Sequence, residues 1–195
     1  MTVRVLPAGD RGALLEVADN AAAVRLARAL RARDGFVDVV PGHRTVLVTW
    51  EAEQPALDLE AAEDEPAFAG RLLEVPVVYD GPDLAEVARL AGLGIEDVVA
   101  AHVAAEYTVG FVGFAPGFAY LLGGDERLEV PRLDTPRERV PAGSVALAGP
   151  YSAVYPRDSP GGWRLVGRTE LVLFDAGRER PALLEPGDRV RFAAL

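Results

Sequence analysis

The chain has 195 residues, half of them apolar and 26% charged, with a formal net charge of −10. Every basic residue is arginine, and both lysine and cysteine are absent. Those absences exclude thiol nucleophiles, disulfides, thiolate metal sites, Schiff bases, Walker-type phosphate loops and Ser-Lys dyads, while the acidic surplus argues against a nucleic-acid partner.

In chain order, short strands are expected near Val3–Leu6 and Ala13–Val17, then a helix over Ala21–Arg33 and a strand over Thr45–Trp50. Together they read as a small α/β unit. Within the helix, Val24, Ala27 and Leu30 share an inward face, and Arg25, Arg28 and Arg31 form a solvated stripe at i, i+3 spacing. Residues 51–70 are rich in Ala, Glu, Asp and Pro with little periodicity, the composition of an acidic linker. This places a boundary between an accessory unit of residues 1–70 and a second unit of residues 71–195.

The second unit opens with an apolar strand over Arg71–Tyr79. Asp83 followed by Glu86 gives an acidic N-cap for a helix that stops near Gly92 or Gly94. A further helix from Ile95 sets Ile95, Val98, Val99 and His102 on one buried face. Two readings of His102 stay open there: a hydrogen-bonded core residue, or a proton-transfer group, since imidazole titrates near neutrality. From Tyr107 onward the pattern becomes short apolar runs over residues 107–114, 145–147, 163–166, 171–174 and 189–192, separated by turn residues. That alternation predicts a closed β-barrel or sandwich, with Glu185-Pro186-Gly187-Asp188 as the turn into the last strand. No run approaches the roughly 18 apolar residues of a membrane span, and the first ten residues lack a signal-peptide pattern, so a soluble cytoplasmic protein is expected.

The segment Gly110–Thr169 concentrates glycine, proline and aromatics, with Arg132, Arg137, Arg139, Arg157, Arg164 and Arg168 among the loops. Proline and glycine shape rigid loops, and arginine's planar fork grips carboxylate or phosphate with two parallel hydrogen bonds. A site for a small anion is therefore expected in these loops. Ser144 lies outside any nucleophile elbow, so its hydroxyl or the neighbouring N–H groups serve for hydrogen bonding. Trp163 is either core or a wall of the pocket, and Phe111, Phe114 and Phe118 are assigned to the core.

At these residues the chain resembles the family of 5-oxoprolinase B subunits, also described as allophanate hydrolase subunit 1 and as the KipI-type kinase inhibitor. The resemblance is carried by His102, Tyr107, Gly113-Phe114-Ala115-Pro116-Gly117-Phe118-Ala119-Tyr120-Leu121, Pro131-Arg132, Thr135-Pro136-Arg137, Val140-Pro141-Ala142-Gly143-Ser144, Tyr155-Pro156, Ser159-Pro160-Gly161-Gly162-Trp163 and Gly167-Arg168-Thr169. It implies an α+β protein of two domains, a small α/β domain followed by a cyclophilin-like β-barrel. It also implies a heteromer with subunits A and C that opens 5-oxoproline to L-glutamate with ATP and Mg2+, this chain carrying no nucleotide motif and being inactive alone. In that setting Arg132, Arg137 and Arg168 would hold the substrate's carboxylate or phosphoryl oxygens, with Ser144, Pro116, Gly117 and Trp163 around it and His102 assisting proton transfer. Leu133 stands where the family usually has a second arginine, and Ala153 where glycine is usual. The alternatives are an inhibitor of a sensor histidine kinase and a carboxyltransfer component of urea degradation.

Overall fold

Residues 2–57 and 70–195 are described in the computed structural model, and the chain divides into two units, Met1–Ala69 and Gly70–Leu195. Residues 58–69 of the expected linker lie outside the described residues. In the first unit, extended Asp19 accepts a hydrogen bond from the Ala22 N–H at 2.8 Å, satisfying one of the free donors of a helix start. Helix α1 follows over Asn20–Arg31. Its inner face, with Ala23, Leu26 and Leu30 fully buried, packs on a four-stranded antiparallel sheet. The strands β1 (Arg4–Pro7), β2 (Gly12–Glu16), β3 (Asp38–Pro41) and β4 (Thr45–Thr49) run in the order β1-β2-β4-β3. Along β4 Val46 and Val48 are buried between less buried neighbours, the period of two that a one-sided core imposes. Arg31 is exposed as expected of the stripe, and its guanidinium donates to the Val39 carbonyl at 3.0 and 2.8 Å and ties the helix end to β3.

The second unit is built on β5 (Leu72–Val77), α2 (Leu84–Ala91), α3 (Ile95–Ala104), β6 (Glu106–Val112), β7 (Ala119–Leu122), β8 (Arg137–Val140), β9 (Ser144–Ala148), β10 (Tyr151–Val154), β11 (Ser159–Gly161), β12 (Arg164–Arg168) and β13 (Arg189–Ala194). Seven strands form one sheet in the order β12-β9-β10-β7-β6-β13-β5. Just beyond β5, Val78 exchanges two 2.9 Å backbone hydrogen bonds with Arg168 at the end of β12. This joins the two outer strands, so the sheet is a nearly closed barrel, the arrangement that removes exposed edges. A buried turn welds the last strand to the first: Asp188 accepts from the Arg71 N–H at 3.0 Å, the Arg71 guanidinium at 2.8 Å and the Glu185 N–H at 3.1 Å.

All five residues of β9 are buried, which explains its unbroken apolar run. Val145 and Leu147 join the core that also holds Val87 and Ala88 of α2 and Val98 of α3. Ala146, with Ala153 of β10, belongs to a second cluster formed with Phe118, Val140, Tyr155 and Leu165. The antiparallel β8/β11 pair contributes Val140 to that cluster. Two expectations fail locally. Residues 171–174 form no strand; Phe174 makes a single bridge to Ala182. Asp83 sits at the N-cap of α2 but its carboxylate makes no capping bond, because it is drawn to the Leu165 N–H at 2.7 Å and to Arg137 at 2.7 Å. Glycine ends that helix as expected, with Gly92 at φ 66°. Among the described residues no helix is long and apolar enough to cross a membrane.

Candidate functional site

The loop after β6 reads Gly113-Phe-Ala-Pro-Gly-Phe118. The Ala115 N–H donates to the Gly113 carbonyl at 2.7 Å, closing a three-residue turn with Phe114 at its centre. Phe114 has φ 65°, and among the described residues no other non-glycine has a positive φ. This is a γ-turn of the rare, strained hand. The next four residues make a second turn: the Phe118 N–H donates to the Ala115 carbonyl at 2.9 Å, with Pro116 and then Gly117 at φ 83° in the central positions. Proline followed by left-handed glycine is the signature of a type II turn. A side chain at Gly117 would put its Cβ 2.6 Å from that of Phe174. The double turn sends Phe118 inward, 2% exposed, and Phe114 outward, 58% exposed.

A cavity of about 290 Å3 opens against this loop. Its walls are rings: Phe118 meets Tyr120, Tyr155 and Trp163 edge to face at 5.1, 5.3 and 5.5 Å, the arrangement that aromatic quadrupoles favour. Gly161 lets Tyr155 lie against the backbone, since a Cβ there would fall 2.4 Å from the Tyr155 hydroxyl. Burial raises the Tyr155 pKa, so the hydroxyl stays neutral, and it is held by the Trp163 backbone N–H. Neither Asp nor Glu is among the residues lining the cavity. Arg132 contributes the single lining cation; it is exposed and has no hydrogen-bond or ion-pair partner among the described residues. An apolar ring box with one unengaged guanidinium at its edge can receive a small, flat anion: the rings contact the body and the fork takes two carboxylate oxygens.

Of the other expected site residues, Trp163 also lines the cavity, whereas several lie elsewhere. Arg137 is committed to the Asp83 carboxylate at 2.7 Å and reaches the Trp163 carbonyl at 3.5 Å. Through these two contacts it braces the wall, and it is not among the residues that line the cavity. Arg168 is exposed on the barrel seam, outside the residues that line the cavity, and pairs with Asp80 at 2.9 Å and Glu170 at 3.6 Å. Ser144 is buried in β9, where its carbonyl accepts the Tyr155 N–H at 2.9 Å. Ser144, Pro116 and Gly117 shape the surroundings of the cavity without lining it.

His102 is fully buried, with its two ring nitrogens 2.7 Å from the Tyr79 hydroxyl and 3.0 Å from the Ser152 hydroxyl. Its ring stacks on Phe192 at 4.2 Å. Burial pushes its pKa down to about 3, which keeps the ring neutral. With both nitrogens engaged, His102 fits the hydrogen-bonded core reading of the two, and it is not among the residues that line the cavity. Sequence reasoning missed Tyr120 and Tyr155 as walls and assigned Phe114 to the core. The signal for Phe114 was local: its place three residues before Gly117 in a Pro-Gly turn forces its neighbour Phe118 inward and leaves Phe114 outside.

The family model described as carboxyltransferase domain, subdomain C and D, matches residues 3–184. A 5-oxoprolinase B subunit of Escherichia coli O157:H7 is 45% identical over 183 residues, covering 86% of this chain and 82% of that protein. The solved structure of TTHA0988 is 40% identical with a TM-score of 0.84, over 95% of this chain and 40% of that one, so the module here spans less than half of that longer polypeptide. The Kluyveromyces lactis urea carboxylase, 24% identical, superposes with a TM-score of 0.75 over 99% of this chain and 22% of its own, a likeness of fold. The mixed α/β fold with its nearly closed barrel, the Gly113–Phe118 double turn and the match along most of both sequences give one conclusion: the chain belongs to the family of 5-oxoprolinase B subunits.

Proposed function

We propose that this chain is the B component of a heteromeric, ATP-dependent 5-oxoprolinase, working with subunits A and C to convert 5-oxoproline, ATP and two waters to L-glutamate, ADP and phosphate. In this reading the cavity holds the lactam ring between Phe118, Tyr155 and Trp163, and Arg132 takes its carboxylate. The observation that carries the reading is the unpartnered Arg132 at the edge of a ring-lined cavity. At about 290 Å3 the cavity lies at the small end of ligand pockets, roughly 300–1,000 Å3, which suits a five-membered lactam. The residues lining this cavity do not fit ATP with Mg2+: one guanidinium would face a triphosphate, and no lining carboxylate offers a metal ligand. Nucleotide binding is therefore assigned to the partner subunits. The two units are read as an accessory domain, residues 1–70, and a cyclophilin-like barrel, residues 71–195, in a cytoplasmic complex. The kinase-inhibitor and carboxyltransfer alternatives are not favoured, since relatives matched along most of their length carry the 5-oxoprolinase name.

The test is ATP-dependent glutamate release from 5-oxoproline with this chain alone, with candidate subunits A and C, and with Arg132→Ala in the full mixture. Activity is expected in the complete mixture only. A charge-assisted hydrogen bond contributes roughly 1.5–3 kcal/mol, so Arg132→Ala should raise KM by about tenfold to a hundredfold without impairing assembly. A well-folded complete complex that releases no glutamate would overturn the reading.

A further inference from the structure

The walls of the cavity are braced, and its rim is not. Phe118 and Tyr155 are buried and locked by ring-edge contacts on several sides. Phe114, on the same cavity, touches Phe118 at 5.2 Å and Tyr155 at 6.3 Å, and more than half of it faces water. Its backbone stands in the left-handed region, which is costly for a bulky side chain. Its edge-to-face contacts with Phe118 and Tyr155 offset part of that cost, but the exposed half of the ring gains nothing from the fold. Strain of this kind persists where the surroundings over-determine it and is concentrated at ligand sites. The over-determination is visible: the Ala115-to-Gly113 bond, the Pro116-Gly117 turn, the 3.2 Å bond from the Gly113 N–H to the Phe118 carbonyl, and the close approach of Gly117 to Phe174 together fix where the ring stands.

We infer that Phe114 is the specificity-determining ring of this cavity, held at its rim by the double turn so that it covers a bound cyclic amide and discriminates it from open-chain carboxylates. The inference rests on the reading of the cavity as the 5-oxoproline site. Arg132 alone cannot supply that discrimination, because a guanidinium grips the carboxylate of ring-closed substrate and ring-opened product equally. A compact lactam ring can lie in the cavity beneath Phe114, whereas the extended glutamate chain brings a second carboxylate that the single lining cation, Arg132, cannot also meet. Pro116 and Gly117, expected to touch the ligand, act through Phe114 as positioning residues.

The experiment compares wild type, Phe114→Tyr, Phe114→Ala and Phe114→Gly in the reconstituted three-subunit complex, reading kcat and KM for 5-oxoproline and the inhibition constant for glutamate. Removing the ring should raise KM by about tenfold, more than it lowers kcat, with glutamate inhibition little changed, and Phe114→Tyr should restore the wild-type ratio of the two. Thermal unfolding of the same variants reads the strain independently of activity. At an unstrained site glycine is less stable than alanine; here the Gly variant should melt at or above the Ala variant. KM unchanged across the series in an active complex, or a Gly variant melting below the Ala variant, overturns the role of Phe114. A wild-type complex that yields no glutamate overturns the substrate reading beneath it, and the inference falls with that reading.

Discussion

The two sides of strand β10 carry opposite chemistry. From one side Ser152 reaches His102, which also meets Tyr79, so that each ring nitrogen of a fully buried imidazole has a partner. On the other, Ala153 and Tyr155 belong to the aromatic cluster beside the cavity, where Arg132 has no partner among the described residues and Phe114 stands in water on a strained turn. Folding alone selects the first arrangement, because an unpaired buried polar group costs about 1–3 kcal/mol. The second is the arrangement that the proposed ligand would engage. Across this strand the satisfied imidazole belongs to the scaffold and the unengaged Arg132 and Phe114 to the candidate site, although the residue types alone, a histidine against a phenylalanine, suggest the reverse.

Arg137 is the sharpest way to break that comparison, since residue type put it with Arg132 and the geometry puts it with the scaffold. Its partner Asp83 has a side chain only 10% exposed and also accepts the Leu165 N–H, linking the start of α2, the start of β12 and the wall strand β8. Arg137→Ala leaves that carboxylate without its countercharge, a defect worth about 3 kcal/mol. Urea denaturation should show that loss in the isolated chain, with no ligand present. A variant as stable as wild type but unable to bind 5-oxoproline would return Arg137 to the anion clamp.

Much of the scaffold was legible because its signals are local. Helix α1, the glycine stop at Gly92, the short-strand pattern after Tyr107 and the turn at Glu185–Asp188 all follow from periodicity and backbone chemistry. Phe118 and Trp163 were visible in the motif as aromatics near Pro-Gly pairs. The roles of the arginines were not, because they depend on what lies far along the chain: Asp83 is 54 residues from Arg137, and Asp80 is 88 residues from Arg168. Strand β3 was missed because Asp38–Pro41 is only four residues long, with Asp and Pro at its ends, two residue types depleted in strands. His102 shows the limit of type-based inference: helical spacing correctly placed it inward, and the partners that neutralise it, Tyr79 and Ser152, come from other elements.

The histidine gives a test of intermediate size. Its folded pKa, near 3, lies below the ordinary value of 6.5, so the unfolded chain takes up the proton first and stability falls as pH drops below 6.5. The slope for one proton is about 1.4 kcal/mol per pH unit, so about 2 kcal/mol should vanish between pH 6.5 and 5. Arg127 holds the Asp125 carboxyl down to about 2, and the Ala142 N–H with Arg139 lowers that of Asp158; these contribute stability that is lost only at lower pH. Urea unfolding at pH 5, 6 and 7 should therefore show a decline in wild type that His102→Gln flattens. An equal decline in both proteins would mean that the imidazole is charged in the fold.

Arg168 should give the smallest effect and is the control for the whole comparison. Its guanidinium pairs with Asp80, but the two side chains are 54% and 48% exposed, and ion pairs so open to water contribute about 0–1 kcal/mol and weaken with salt. The seam at this position is held instead by backbone, through the two Val78–Arg168 hydrogen bonds, which any side chain permits. Arg168→Ala should thus change stability by at most about 0.5 kcal/mol and leave KM for 5-oxoproline within about twofold of wild type, a shift of under 0.5 kcal/mol. A tenfold rise in KM at unchanged stability would mean that a ligand reaches the barrel seam, and then an exposed, partnered arginine would belong to the site after all.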